Sequence, residues 1–189
     1  MCRDRVHLRE ASLEDVQTLS FLHKILWQDK ETKYIWNISD KAALWDDLDS
    51  LKTFLINDFK ISYIYIAYCG EEALGLFGAL NISVINKSAN LLIWIDKSVR
   101  NRTFLMRWWT CFLLEIQKNR IERVHAKIKK KNVISLNTAI RCGFQKYDFM
   151  PVQYDGFENV CPVSRTTTLN SFEKKYFSRF WKHDDYSKA

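Results

Sequence analysis

The chain has 189 residues, 47% of them hydrophobic, 14% aromatic and 27% charged, which is enough apolar material for one substantial core and short for two. A formal charge of +7 favours an anionic partner, whether nucleic acid, an acidic membrane or a small molecule such as a nucleotide cofactor, without choosing among them. The start, MCRDRVHLRE, is charged where a secretory signal needs its apolar stretch, no run reaches the length of a membrane span, and the expected compartment is the cytoplasm. Cys2, Cys69, Cys111, Cys142 and Cys161 stand far apart without a Cys-x-x-Cys pair, so reduced thiols are expected. His7, His23, His125 and His183 are equally scattered, and no structural metal is expected.

In chain order, RVHLREA reads as an opening strand. Leu13, Val16, Leu19, Leu22 and Leu26 then recur at helical spacing, with Ser12 as N-cap and Asp15 in the acidic position of a capping box. A second helical stretch, 39–59, carries Leu44, Leu48, Leu51 and Leu55. The period then changes: SYIYIAYCG and ALGLFGALNISVI are rich in β-branched and aromatic residues about a GEEA turn, a hairpin. NLLIWID follows as a nearly continuous apolar strand, which suggests a place inside the sheet. TFLMRWWTCFLLEIQKN is a helix, from which one of Trp108 and Trp109 must point away because adjacent helical residues diverge. RIERVHAKI is a strand, NVISLNTAIRCGF a helix opened by Asn132 and closed at Gly143, and FQKYDFMPV a further strand. RTTTL is a candidate last strand, and an amphipathic helix over about 170–182 ends a single domain spanning 1–189. Strand-helix-strand order after a hairpin gives an α/β layer around a mixed sheet.

Two stretches carry a family likeness. Asn132, Ser135 three residues on and then Gly143-Phe144, directly after a strand, resemble the second half of the GNAT superfamily of acyl-CoA-dependent N-acyltransferases. LREASLEDVQTL resembles the opening strand and helix of many of its members, and Ser135 with Ala139 looks closest to the branch of ribosomal-protein alanine acetyltransferases. The resemblance implies a mostly antiparallel mixed sheet with helices on both faces and two splayed central strands, here NLLIWID and RVHAKI. It also implies acetyl-CoA or another acyl-CoA as co-substrate, with its pantetheine arm between those strands and an amine as acceptor.

Carried onto this chain, the resemblance places a thioester-polarising amide near Ile95, and the cofactor pyrophosphate at Arg100, Arg102 and Thr103 ahead of the next helix. The stretch RNRTFL departs from the family's loop, because Thr103 and Leu105 replace two small residues and no glycine occurs between Gly78 and Gly143. Asn132 is assigned to the pantetheine, and Ser135 is the candidate acid for the CoA thiolate where many members have a Tyr in place of Ala139. Asp96 and His125 are the candidate bases for the incoming amine, and Trp27, Tyr34, Trp36 and Trp45 the candidate walls of the acceptor pocket. Capping alone also explains Asn132 and Ser135.

Two other readings stand beside this one. A GNAT-fold binding or scaffold protein without activity fits the altered phosphate loop. A basic nucleic-acid-associated module rests on Lys127, Lys129, Lys130 and Lys131. The terminal helix has two docking options, this domain or a second copy of the chain, and the first is expected.

Overall fold

The computed structural model describes residues 6–28, 62–100, 102–146 and 160–180. Among the described residues seven strands form one sheet: β1 (Val6–Glu10), β2 (Tyr63–Cys69), β3 (Glu72–Ser83), β4 (Ser88–Ile95), β5 (Arg123–Lys129), β6 (Gln145–Lys146) and β7 (Val160–Thr166). Their order is β1-β2-β3-β4-β5-β7-β6, and of these described strands only β4 and β5 run parallel. The helices are α1 (Val16–Gln28), α2 (Arg102–Lys118), α3 (Val133–Arg141) and α4 (Ser171–Phe180). The expected helix over 39–59 and most of the FQKYDFMPV strand lie outside the described residues. The last strand lies earlier than RTTTL, because β7 pairs along all of β5 and stops at Thr166.

Local chemistry accounts for the first elements. Ser12 Oγ accepts from the Glu14 N–H at 3.3 Å, and the Asp15 carboxylate accepts from the Ser12 N–H at 2.8 Å, closing the capping box. Arg9 on β1 donates to both Asp15 oxygens at 3.0 and 2.5 Å, so the Leu-Arg-x-Ala stretch ties strand to helix. That pairing, with the Ser12 hydrogen bonds, holds the Asp15 carboxyl below its usual range. Gly70, at φ 64, takes the first corner of the two-residue β2–β3 turn, the place where a type II′ hairpin needs glycine.

Alternation along the strands separates two cores. Ile64, Ile66, Leu76 and Trp94 pack with Leu19 and Leu22 of α1 on one face. Tyr65, Ala67, Phe77 and Val124 pack with Trp109, Phe112 and Ile116 of α2 on the other. The expectation that one of the paired tryptophans points away from the core is corrected, since Trp108 and Trp109 both belong to it and are 0% and 1% exposed. Their directions do diverge, and both are covered. Trp108 donates to the Tyr68 carbonyl at 3.1 Å, while Trp109 lies beneath Phe144 and the Arg165 guanidinium. Cys69 is disulfide-bonded, which departs from an all-thiol set, and Cys111, Cys142 and Cys161 are free. Burial, then the nearby Glu115, pushes the Cys111 thiol up to about 12, so it is no ready nucleophile. No helix among the described residues is long and apolar enough to cross a membrane.

Candidate active site

β4 and β5 pair only through Ser88 with Arg123, Ala89 with Val124 and Asn90 with His125. Beyond that point β4 stays on β3 as far as Ile95, and β5 stays on β7 as far as Lys129. Each strand is therefore held along its outer edge and open along its inner one, which makes a V with its vertex at Asn90 and His125. An irregularity in β3 between Leu80 and Ser83, with Asn81 at φ 51, sits opposite the vertex. An extra residue there bends and twists the strand pair. At the other end of β4, a Cβ on Gly75 would stand 2.6 Å from the Trp94 carbonyl oxygen, so glycine lets β3 and β4 approach closely.

The polarity of the open edge follows from one hydrogen bond. The Asp96 N–H donates to the Leu74 carbonyl at 2.8 Å, toward β3. Successive N–H groups of a strand point to alternate edges, so those of Ile95 and Ile93 point into the V. The Ile95 carbonyl shares that edge and accepts from Arg100 Nε at 2.8 Å, which brings the guanidinium to the mouth of the gap. Sequence reasoning singled out Ile95 and missed Ile93, because only the register tells which amides lack a neighbouring strand.

Across the mouth, Asn132 caps α3 by accepting from the Ser135 N–H at 3.1 Å. The helix leaves by a Schellman motif, in which Gly143 at φ 84 donates to the Ile140 carbonyl and Phe144 to the Ala139 carbonyl, both at 3.0 Å. Ser135 is exposed and lies in the first turn. Counting residues from the last strand pair places Ile95 and Arg100 at the open end of the β4 arm, and Asn132 and Ser135 at the open end of the β5 arm. His125 is at the closed end, about 10 Å along the strands from Ile93. Burial and then Arg123 lower the His125 pKa, so its imidazole is neutral near pH 7. Val124 is in the α2-side core, and alternation puts His125 on the α1 face. Asp96 shares the open end, where its Oδ1 accepts from the Ser98 N–H at 2.8 Å and from Ser98 Oγ at 2.6 Å, capping the 3-10 turn Lys97–Val99.

Helix α2 begins at Arg102, in agreement with a helix N-terminus after β4. The side chains of Trp27, Arg102 and Thr103, and all of Tyr34, Trp36 and Trp45, lie outside the described residues. A cavity of about 220 Å³ opens between α2, the end of α3 and the start of α4, lined by Arg100, Leu105, Met106, Thr138, Arg141, Cys142 and Phe172.

A mixed sheet with one parted parallel pair, helices on both faces and a capped helix at the open end defines the acyltransferase class of α/β proteins. Residues 5–145 match the model of the acetyltransferase (GNAT) domain, and the chain belongs to that family. No curated protein matches the chain at a significant level. Among solved structures it is similar to RimL, a ribosomal L7/L12 alpha-N-protein acetyltransferase in complex with coenzyme A, at 19% identity and TM-score 0.68 over 85% of this chain and 93% of that one. It is similar to spermidine N-acetyltransferase from Vibrio cholerae in complex with CoA and spermine, at 14% identity and TM-score 0.66 over 91% and 98%. The microcin C7 self-immunity acetyltransferase MccE, in complex with acetyl-CoA and AMP, aligns at 16% identity and TM-score 0.65 over 87% and 94%.

Proposed function

We propose that the protein transfers acetyl from acetyl-CoA to a primary amine of a small molecule, protein or peptide. The observation that carries this reading is the parting of β4 from β5, which leaves the Ile93 and Ile95 amides aimed into a gap with the capped α3 at its mouth. The pantetheine arm lies along that edge of β4 with its amides bonded to the strand, and the thioester sits toward the vertex. The Ile93 N–H polarises the thioester carbonyl, where a fixed donor acts most strongly as the tetrahedral oxyanion forms. The pyrophosphate meets Arg100 and the N-terminus of α2.

The amine arrives from the α1 face and attacks the carbonyl carbon; the C–S bond breaks and CoA leaves as a thiolate. His125, neutral and on that face, takes the ammonium proton through a chain of waters that spans the distance from the vertex. Ser135, exposed to solvent, relays a proton from water to the thiolate, its own hydroxyl being restored in the same step and hydroxide released to bulk solvent. Asp96 is the weaker choice as base, since its Oδ1 is already engaged by Ser98. The reading is tested by incubating the protein with acetyl-CoA and a panel of amines (peptide N-termini, lysine, spermidine) and weighing products by mass spectrometry. Acetylated product with stoichiometric CoA is expected for at least one class. Cofactor binding without turnover on any amine favours the inactive scaffold.

A further inference from the structure

The side of the gap from which the amine arrives has a sign of charge. Val124, Ala126 and Ile128 of β5 belong to the α2-side core, so alternation turns His125, Lys127 and Lys129 to the α1 face. Counted from the paired Asn90 and His125, Ile93 lies three residues along β4, a level that falls between Lys127 and Lys129 on β5. The two lysines are about 7 Å apart along the strand and flank the level of the thioester. Carboxylates are scarce around them. β4, β5 and α1 contain none, Asp96 just past β4 is engaged by Ser98, and Asp15 ahead of α1 is held by Arg9. Burial, and then the neighbouring Lys131, lowers the Lys129 pKa, the response of an ammonium in positive surroundings. An anion brought alongside favours its charged form again.

We propose that the acceptor is an anionic amine, with a carboxylate close to its reacting nitrogen, and that Lys127 and Lys129 are the residues that select it. The same cations repel a second ammonium, which tells against polyamines, and they favour the neutral, attacking form of the reacting amine. This rests on the acetyl-transfer reading above. The test is turnover at saturating acetyl-CoA on three peptide amides that carry two Asp, two Asn or two Lys after an N-terminal Ser, with free glutamate and spermidine beside them. The Asp peptide is expected to exceed the Asn peptide about tenfold in kcat/KM and the Lys peptide by more, and its KM should rise with added salt. Glutamate ranking above or below the Asp peptide tells a free amino acid from a peptide N-terminus, and either order supports an anionic acceptor. Glu at both positions, Lys127→Glu with Lys129→Glu, reverses the peptide ranking, while Arg at both keeps it. The ranking is a ratio within one variant, so it does not depend on how much of that variant folds. A wild type that prefers spermidine or the Lys peptide, or a ranking unchanged by charge reversal, overturns the assignment. A wild type that acetylates no amine of any charge overturns the acetyltransferase reading itself, an outcome distinct from any change of ranking.

Discussion

Single positions set the geometry of the gap. Gly75→Ala puts a methyl 2.6 Å from the Trp94 carbonyl oxygen, so β4 must shift. The expected cost is about 1–3 kcal/mol in urea denaturation, together with weaker acetyl-CoA binding because the Ile93 and Ile95 amides move with the strand. Gly143→Ala, at φ 84, costs about 1 kcal/mol by the same measurement through strain in the left-handed region. His125 couples stability and turnover to pH. Its folded pKa is depressed below 6.5, so the folded state resists a proton that the unfolded chain accepts. Stability is therefore full above 6.5 and falls as pH drops through the depressed value, and the acid limb of turnover should lie below the usual histidine range. His125→Asn should remove that limb, and a profile identical to wild type excludes His125 as the base.

Arg165 and Glu173, at 4% and 1% side-chain exposure, form a buried pair that joins β7, the end of α3 and α4. Arg165→Met leaves the Glu173 carboxylate without its partner and should cost about 3–5 kcal/mol in denaturation, with most of the loss recovered when Glu173→Leu is added. An equal cost in the single and double variants would show that the pair does not set the packing. Much of this level was legible beforehand, and for physical reasons. The Ser12–Asp15 box, the Asn132 cap and the Gly143 exit are local, so residue type and spacing suffice to read them. Arg165 was not legible. Nothing in SRTTT distinguishes a buried arginine from a solvated one until β7 is placed beside β5 and α4 folds back over it. The same holds for the two tryptophans of α2, whose shared burial depends on Phe144 and Arg165 from remote parts of the chain. At the site, the residue types around Asn132 were readable, whereas the gap-facing role of Ile93 follows only from strand register.

The whole molecule works by holding β4 and β5 from outside and leaving their inner edges unpaired. Three residue pairs at the vertex fix the angle, and the remainder of each strand is secured by β3 or β7. The positive charge of the chain suits an anionic donor, with Arg100 and Arg141 placed at the open side, so affinity for acetyl-CoA should fall with added salt. The most direct test of this account is amide hydrogen exchange along β4, read residue by residue with and without acetyl-CoA. The account predicts that Ile93 and Ile95 exchange readily in the free protein and become protected by the cofactor, while Trp94, already on β3, changes little. Saturation with acetyl-CoA that leaves the Ile93 and Ile95 amides unprotected would contradict it.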